Sequence, residues 1–264
     1  DFNSGSPIPL TDGMINTLEG CASICDNNGN LLFYTDGMTL YNKDHTIMPN
    51  GSGILGHSSS TQSAIIVKKP SSSTIYYLFT VDGITGNLGG LNYSEIDITL
   101  DNGLGDVTLN KNINLIPFTC EKVTAVMHQN GSDFWIVSPE LNTNIIYSFL
   151  LTSTGLNLLP TQTNAFSPVD GVGYLKGSPD ATRIVMVNSN MLNFEIYSFN
   201  SSTGLLTFQL QVPNLINGPY GVEFSPNSNI IYISNWNGAE VWQYNLMAGS
   251  NIDIINSALS LGAH

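Results

Sequence analysis

A short apolar strand recurs five times along the chain, and turn residues flank each copy. The five runs are Leu31–Thr35, Ile75–Thr80, Phe134–Val137, Ile184–Val187 and Ile230–Ser234. If Tyr34, Phe79, Val137, Val187 and Ile233 are equivalent, subtraction of successive residue numbers gives intervals of 45, 58, 50 and 46. Alternating apolar positions with Asn, Gly and Pro at the turns predict antiparallel hairpins around each run. A repeat of this length with four strands is typical of one blade of a β-propeller.

We therefore predict an all-β fold: a β-propeller of four-stranded antiparallel blades, with about five to six blades in a single domain over residues 1–264. A chain of this length can form one such unit. A β-sandwich remains the alternative, although it would lack the longer period. The segment Gly83–Asp106 is interpreted as an insertion between the second and third units, which explains the interval of 58. The tail Asn251–His264 is interpreted as a last strand or the start of another blade.

Charge and composition limit the classes of partner. Only 10% of the residues are charged, against about 25% in typical domains, and the formal net charge is -13. A nucleic-acid backbone or an anionic membrane surface would be repelled, so we expect neither as a partner. No window approaches the roughly 18 apolar residues needed to span a bilayer, so membrane insertion is not expected. Acidity of this kind is typical of soluble proteins outside the cell, and we expect a secreted or cell-surface location.

Several segments of the chain resemble a known family. They are Glu19–Ile24, Asn28–Gly37, Met48–Gly51, Ser59–Val67 and Glu121–Val126. These runs are similar to the N-terminal WD40-like propeller region of secreted Bacteroidetes proteins associated with gliding motility or carried by type IX secretion. The resemblance implies a cell-surface or adhesion context. It also implies that these blades belong to a seven-bladed ring that continues beyond residue 264.

The entry segments of the blades hold the candidate binding residues. In a propeller the first strand of each blade lines the central channel, and the segments before these strands meet at one mouth. Here those segments contribute six polar residues: Glu19, Gln62, Glu121, Lys122, Asp170 and Tyr220. This acidic mouth is a candidate ligand or cation site, because small ligands bind in concave places with a few convergent polar groups. Solvated loop ends without a ligand are the alternative. Trp236 lies in a turn that would expose it, which makes it a candidate for surface recognition.

Motifs for catalysis and metal binding are weak. The sequence has no Gly-x-Ser-x-Gly elbow and no phosphate-binding Gly-rich loop, so no catalytic residue is assigned. Asp26–Asn30 is interpreted as a hairpin turn rather than a calcium loop, and the four histidines have no zinc spacing, so we expect no metal and no cofactor. Cys21, Cys25 and Cys120 are interpreted as buried small apolar groups. Residues four apart on an extended strand lie about 13 Å apart, too far for a bridge between Cys21 and Cys25.

The sequence favours a non-enzymatic recognition or adhesion module of a larger secreted or cell-surface protein. Its loops would bind a protein or a glycan at the cell surface. One alternative is a propeller hydrolase or lactonase that uses the acidic mouth, with Glu19 and Glu121 in acid–base roles. Another is a structural spacer or assembly subunit. Ligand assays, enzyme assays and the mass in solution would separate these three functions.

Overall fold

The chain folds into five antiparallel β-sheets that follow one another along the sequence. The computed structural model describes residues 9–84, 89–213, 215, 218–238 and 240–263. Three of the sheets have four strands, and two have five because two short strands share the outermost position. This is the predicted β-propeller architecture, and each sheet is called a blade and numbered 1 to 5 in chain order. The number of blades in a complete ring stays a prediction.

The strands of the first two blades occupy residues 22–116. Blade 1 contains β1 (Ala22–Cys25), β2 (Leu31–Thr35), β3 (Thr39–Asn42) and β4 (Ile47–Ser52). Blade 2 contains β5 (Ala64–Lys68), β6 (Ile75–Val81), β7 (Leu91–Asp97), the short helical turn α1 (Leu100–Gly103), β8 (Asp106–Val107) and β9 (Ile113–Ile116). Both β8 and β9 pair with β7. The predicted insertion at Gly83–Asp106 is therefore wrong in part, because it contains β7 and builds the outer half of blade 2.

The remaining strands lie between residues 124 and 263. Blade 3 contains β10 (Thr124–Met127), β11 (Phe134–Pro139), β12 (Ile145–Thr152), β13 (Gly155–Leu156) and β14 (Thr161–Asn164). Blade 4 contains β15 (Leu175–Gly177), β16 (Arg183–Asn188), β17 (Asn193–Asn200) and β18 (Leu205–Val212). Blade 5 contains β19 (Pro219–Phe224), β20 (Ile230–Asn235), β21 (Glu240–Asn245), helix α2 (Asn251–Asn256) and β22 (Leu259–Ala263). The tail is thus the outermost strand of blade 5. Within the described ranges, no helix is long and apolar enough to cross a membrane.

The five recurring apolar runs are the second strands of the five blades. Each lies between the first and third strands of its sheet. In blades 2, 3 and 4, every residue of this strand after the first is buried. A strand covered on both faces reads as a continuous apolar run rather than as an alternation, since neither face meets water. This explains why these strands dominate the sequence pattern.

Apolar clusters join successive blades. Clusters of buried side chains lie between blades 1 and 2, 2 and 3, 3 and 4, and 4 and 5. Phe79, at the junction of blades 2 and 3, is completely buried, and burial of one such side chain contributes about 1.5–3 kcal/mol. Among the described residues, no comparable cluster joins blade 5 to blade 1. We call the junction between blades 5 and 1 the seam, and the outward faces of the two blades lie on either side of it. Residues 10–15 lie near the outward face of blade 1.

Local structure tests two predictions made from sequence: the hairpin turn at Asp26–Asn30 and the burial of the three cysteines. Asp26 Oδ1 accepts hydrogen bonds from the backbone N–H groups of Asn28 and Asn30, 2.8 and 2.9 Å away, so this segment is the predicted hairpin turn between β1 and β2. The prediction that all three cysteines are buried is wrong for two of them. Cys120 is buried, whereas Cys21 and Cys25 are exposed, and all three are free thiols. Cys21 precedes β1 and Cys25 ends it, and neither belongs to the apolar cluster between blades 1 and 2.

Candidate functional site

The entry segments of the five blades meet at one mouth, where backbone hydrogen bonds connect them in order. Each bond runs from one entry segment to the next, and the donor–acceptor distances are 2.9–3.2 Å. The pairs are Gly20 N to Ser60 O, Gln62 N to Glu121 O, Glu121 N to Gly171 O, and Tyr174 N to Tyr220 O. This belt brings polar side chains from distant parts of the sequence to one place.

Four side chains form a chain of oxygen contacts across this mouth. The Tyr220 hydroxyl lies 2.5 Å from Glu19 Oε2 and 3.1 Å from Thr61 Oγ1. Thr61 Oγ1 in turn lies 2.8 Å from Glu121 Oε2. Two hydroxyl hydrogens, those of Tyr220 and Thr61, serve these three contacts. The hydrogens therefore bridge the two short contacts to the carboxylates, and the longer Tyr220–Thr61 contact is left without one.

The polar chain runs from solvent into the protein. Glu19 is exposed, and its other oxygen, Oε1, lies 3.3 Å from Ser59 Oγ. Glu121 at the inner end is only 4% exposed. Its carboxylate accepts from the N–H and hydroxyl of Thr61 and from the N–H of Ile84, at 2.8–3.0 Å. Burial, together with the hydrogen bond to Glu19, raises the pKa of the Tyr220 phenol well above 10.0, which keeps it a hydrogen-bond donor at neutral pH.

Lys122 is completely buried beside this chain. Its Nζ donates to the backbone oxygens of Asp170 and Val172, at 2.5 and 2.9 Å. Burial lowers the pKa of this amine, and the nearby Cys120 and Asp170 act in the opposite direction. Lys122 therefore ties blade 3 to the entry of blade 4 and does not face the mouth.

Gln62 connects two blades, whereas the Asp170 carboxylate binds a later turn of its own blade. The Gln62 amide donates to Leu175 O at 3.1 Å and accepts from Leu175 N at 2.8 Å, which connects blade 2 to blade 4. The Asp170 carboxylate accepts from the backbone and side-chain N–H groups of Asn190, at 2.6 and 2.8 Å. Of the six predicted mouth residues, three thus join one polar chain, Glu19, Glu121 and Tyr220. A ligand role for any of the six stays a prediction.

Thr61 completes the site; the sequence places it at the mouth, in the run Ser60–Gln62, but does not single it out as a candidate. Its neighbours form a run of hydroxyl residues, Ser58–Thr61, in which no position stands out. Thr61 is 1% exposed, and it alone contacts both Tyr220 and Glu121 among the described residues. Its place directly before Gln62 in an entry segment is the one available signal.

Two clefts flank the seam on which the polar chain lies. A cleft of about 350 Å³ on the outward face of blade 5 is lined by Tyr174, Tyr220, Glu223 and Tyr232, among others. Another of about 460 Å³ lies between residues 10–15 and blade 1, where its lining includes Cys21. Both volumes fall in the range of small-molecule sites. Because Tyr220 belongs to the first cleft and also contacts Glu19, a ligand in that cleft would meet the polar chain.

Trp236 lies in the turn after β20 and is 68% exposed. Its backbone N–H donates to Gly218 O at 3.1 Å. A Cβ atom on Gly218 would lie 2.7 Å from Cδ1 of the indole, so this glycine leaves room for the ring. The indole is thus held against the backbone with most of its surface in solvent.

The described residues contain no group of three or more His, Cys, Asp or Glu side chains arranged to hold a metal ion. The polar chain supplies two carboxylates whose contacts are hydroxyl and N–H donors. The contacts of the polar chain are therefore hydrogen bonds within the protein. The expectation of no metal and no cofactor stays a prediction.

The five sheets, each with four strand positions, surround a shared mouth, and this arrangement defines the protein as a β-propeller. The sequence matches no family model and no curated protein. Solved structures do match. A periplasmic gluconolactonase from Pseudomonas aeruginosa has a TM-score of 0.56 at 15% identity, over 84% of this chain and 65% of its own. A luciferin-regenerating enzyme has a TM-score of 0.50 at 10% identity, over 93% and 76% of the two chains.

A protein from Lactobacillus plantarum gives a TM-score of 0.50 at 12% identity, over 76% of this chain. The present chain spans 55% of the length of that protein and 65% of that of the gluconolactonase. At these identities the likeness shows the fold alone. The type IX secretion and gliding-motility context of the sequence resemblance is a separate matter that these structures do not address.

Proposed function

We propose that this chain is a propeller hydrolase that opens cyclic esters, with the reaction at the mouth beside the blade 5 cleft. The observation that carries the proposal is the polar chain, which places an exposed carboxylate, Glu19, in contact with a protonated phenol, Tyr220. Two of the propellers with the same fold are named as a gluconolactonase and a luciferin-regenerating enzyme. The first of these names agrees with this reaction class but does not establish it here.

The residues suit general base catalysis. Glu19 accepts a proton from water while the water oxygen attacks the lactone carbonyl. The ring C–O bond then breaks, and the leaving alkoxide takes the proton back from Glu19, which yields a hydroxy acid. While Glu19 is protonated, three hydrogens serve the three contacts of the polar chain. All three contacts in the polar chain are then hydrogen bonds, whereas only two are hydrogen bonds in the resting state. The additional hydrogen bond stabilises the reaction intermediate in which Glu19 holds the proton.

The test is turnover of a panel of lactones followed by release of acid. The wild-type chain should hydrolyse at least one lactone above the uncatalysed rate. Glu19→Gln should lower kcat by about 10²-fold or more, the usual loss for a general base. Tyr220→Phe should lower it less, because the carboxylate remains. Asp44→Asn removes the same charge in an exposed turn at the far end of blade 1, and serves as the control. Full activity in Glu19→Gln, or no turnover of any lactone, would contradict the proposal.

Exposure of Trp236 favours a second candidate function: recognition of a glycan or a protein at the cell surface. Exposed aromatic rings stack on sugars and anchor protein partners. A glycan array and a surface-protein array would test it, with Trp236→Ala as the probe variant and Phe118→Ala, which removes another exposed ring, as the control. Binding that both variants retain would remove Trp236 from the candidate surface.

A secreted or cell-surface location belongs to both candidate functions. It is supported by the acidity of the chain and by the periplasmic neighbour named above. Membership of the Bacteroidetes propeller proteins remains part of this proposal. Fractionation of cells that express the gene, with the chain detected by antibody, tests the location directly.

A further inference from the structure

The position of every cationic side chain in the protein is described, and this constrains the charge of a substrate. The sequence contains seven Lys and Arg residues. They are Lys43, Lys68, Lys69, Lys111, Lys122, Lys176 and Arg183. Binding of a phosphate group in proteins generally uses Lys or Arg side chains or a helix N-terminus.

Four of these cations lie at the end of the propeller opposite the mouth. Because the first strand of each blade starts at the mouth, the turn after it and the turn after the third strand lie at the far end. Lys43 lies in the turn between β3 and β4, and Lys68 and Lys69 lie where β5 ends. Arg183 begins β16, and its Nη1 lies 4.0 Å from Asp180 Oδ2 in the adjacent turn.

The other three cations have partners. Lys122 is buried and donates to two backbone oxygens. Lys111 donates to Ser52 O at 2.7 Å, at the end of the outermost strand of blade 1. Lys176 Nζ lies 2.6 Å from Glu223 Oε2, and Glu223 lines the blade 5 cleft. Lys176 is therefore a partly exposed cation beside the blade 5 cleft, and a carboxylate holds it.

The mouth itself presents negative charge and hydroxyl groups. Glu19 is exposed there and Glu121 lies behind it, while Tyr174, Tyr220 and Tyr232 line the cleft. Phenol and carboxylate groups are suitable hydrogen-bonding partners for the hydroxyls of a sugar acid. A phosphate would instead meet like charge, which disfavours its binding.

We propose that the site selects uncharged polyhydroxylated lactones and rejects their phosphorylated counterparts. This inference rests on the proposed lactone hydrolysis and adds the substrate class. The charge pattern acts on association and binding, so the selection should depend on ionic strength. The Debye length falls from about 30 Å at 0.01 M salt to about 10 Å at 0.1 M.

The experiment compares glucono-lactone with its 6-phosphate on the wild-type chain. At 0.01 M salt, kcat/KM for the uncharged lactone should exceed that for the phosphate by about tenfold or more, and the ratio should fall as salt is added. An equal or greater kcat/KM for the phosphorylated lactone would overturn the inference while leaving lactone hydrolysis intact. Turnover of neither would overturn the proposed function and this inference with it.

The variant Glu223→Gln tests the charge argument locally. It releases Lys176 beside the cleft without touching the polar chain. We expect kcat/KM for the phosphorylated lactone to rise by about threefold or more relative to that for the uncharged lactone. Asp44→Asn, which changes the net charge equally at the far end, should raise neither. An equal rise in both variants, or none in Glu223→Gln, would overturn the local origin of the selection.

Discussion

Replacement of Glu121 by Gln should destabilise the propeller although the two side chains have nearly the same shape. The Glu121 carboxylate is 4% exposed and accepts from Thr61 N, Thr61 Oγ1 and Ile84 N. Two of these donors are backbone N–H groups, bound to different oxygens. In Gln one of the oxygens becomes an NH₂ group, so one backbone N–H faces a donor and loses its acceptor.

The magnitude follows from these contacts. A buried donor left without a partner costs about 1–3 kcal/mol, and the bonds that remain lose the contribution of a charged acceptor. We expect the free energy of unfolding to fall by about 2–4 kcal/mol. Domains of about 150–250 residues lose about 2–4 °C in Tm per kcal/mol, and the lower value suits this longer chain, so Tm should fall by about 4–8 °C.

Urea unfolding followed by tryptophan fluorescence measures this change. Glu223→Gln is the matched control, because Glu223 is exposed and its ion pair with Lys176 is worth about 1 kcal/mol or less. A Glu121→Gln variant as stable as the control would refute the claim that the buried carboxylate holds the entry segments of blades 2 and 3 together.

Three further measurements address the backbone, the thiols and the pH dependence. Gly90→Ala should cost about 2 kcal/mol more in urea unfolding than Gly53→Ala, because both glycines have φ +69 but only at Gly90 would a Cβ lie 1.9 Å from Ile116 O; equal costs would contradict this clash. Burial raises the pKa of the Cys120 thiol to about 11, so a thiol reagent should label two cysteines rapidly and the third only on unfolding. Burial first, and then the neighbouring carboxylate of Glu195, raises the pKa of the Tyr197 phenol above 10.0, so its contribution to stability is complete below pH 10 and is lost as the pH rises further. The urea midpoint of Tyr197→Phe should therefore fall less steeply than that of the wild type between pH 10 and pH 11.

The blade repeat could be predicted from sequence because the second strands are covered on both faces. In β16, for example, Ile184 to Val187 are all 0% exposed, so the run carries no polar interruption. The outer strands carry a weaker signal, since one side faces solvent. This is why β7 was assigned to an insertion: its sequence alternates Tyr93, Glu95 and Asp97 with buried residues. Two of those buried residues, Asn92 and Ser94, are polar, so the segment lacks an apolar alternation, and only pairing with β6 shows it to be a strand.

The position of Glu19, Glu121 and Tyr220 at the mouth was predictable from sequence, but the hydrogen-bond partners of their side chains were not. Position before a first strand is a local property, and it is sufficient to bring Glu19, Glu121 and Tyr220 to one mouth. The partner of each side chain depends on distances between residues far apart in sequence. Tyr220 and Glu19 are 201 residues apart, and Tyr220 and Thr61 are 159 apart. A sequence repeat contains no information on contacts between such distant residues, so nothing singled out Thr61 within the run Ser60–Gln62.

The polar chain lies at the junction of blades where the described residues form no apolar cluster. At the other four junctions, buried side chains fill the space between neighbouring sheets. At the seam, blade 5 meets the entry of blade 1 through the bond from Tyr220 to Glu19. Apolar packing there would close the clefts and bury Glu19, and an unpaired buried carboxylate is strongly unfavourable. Among the described residues, the contact between blade 5 and the entry of blade 1 is thus polar, whereas the contacts at the other four junctions are apolar.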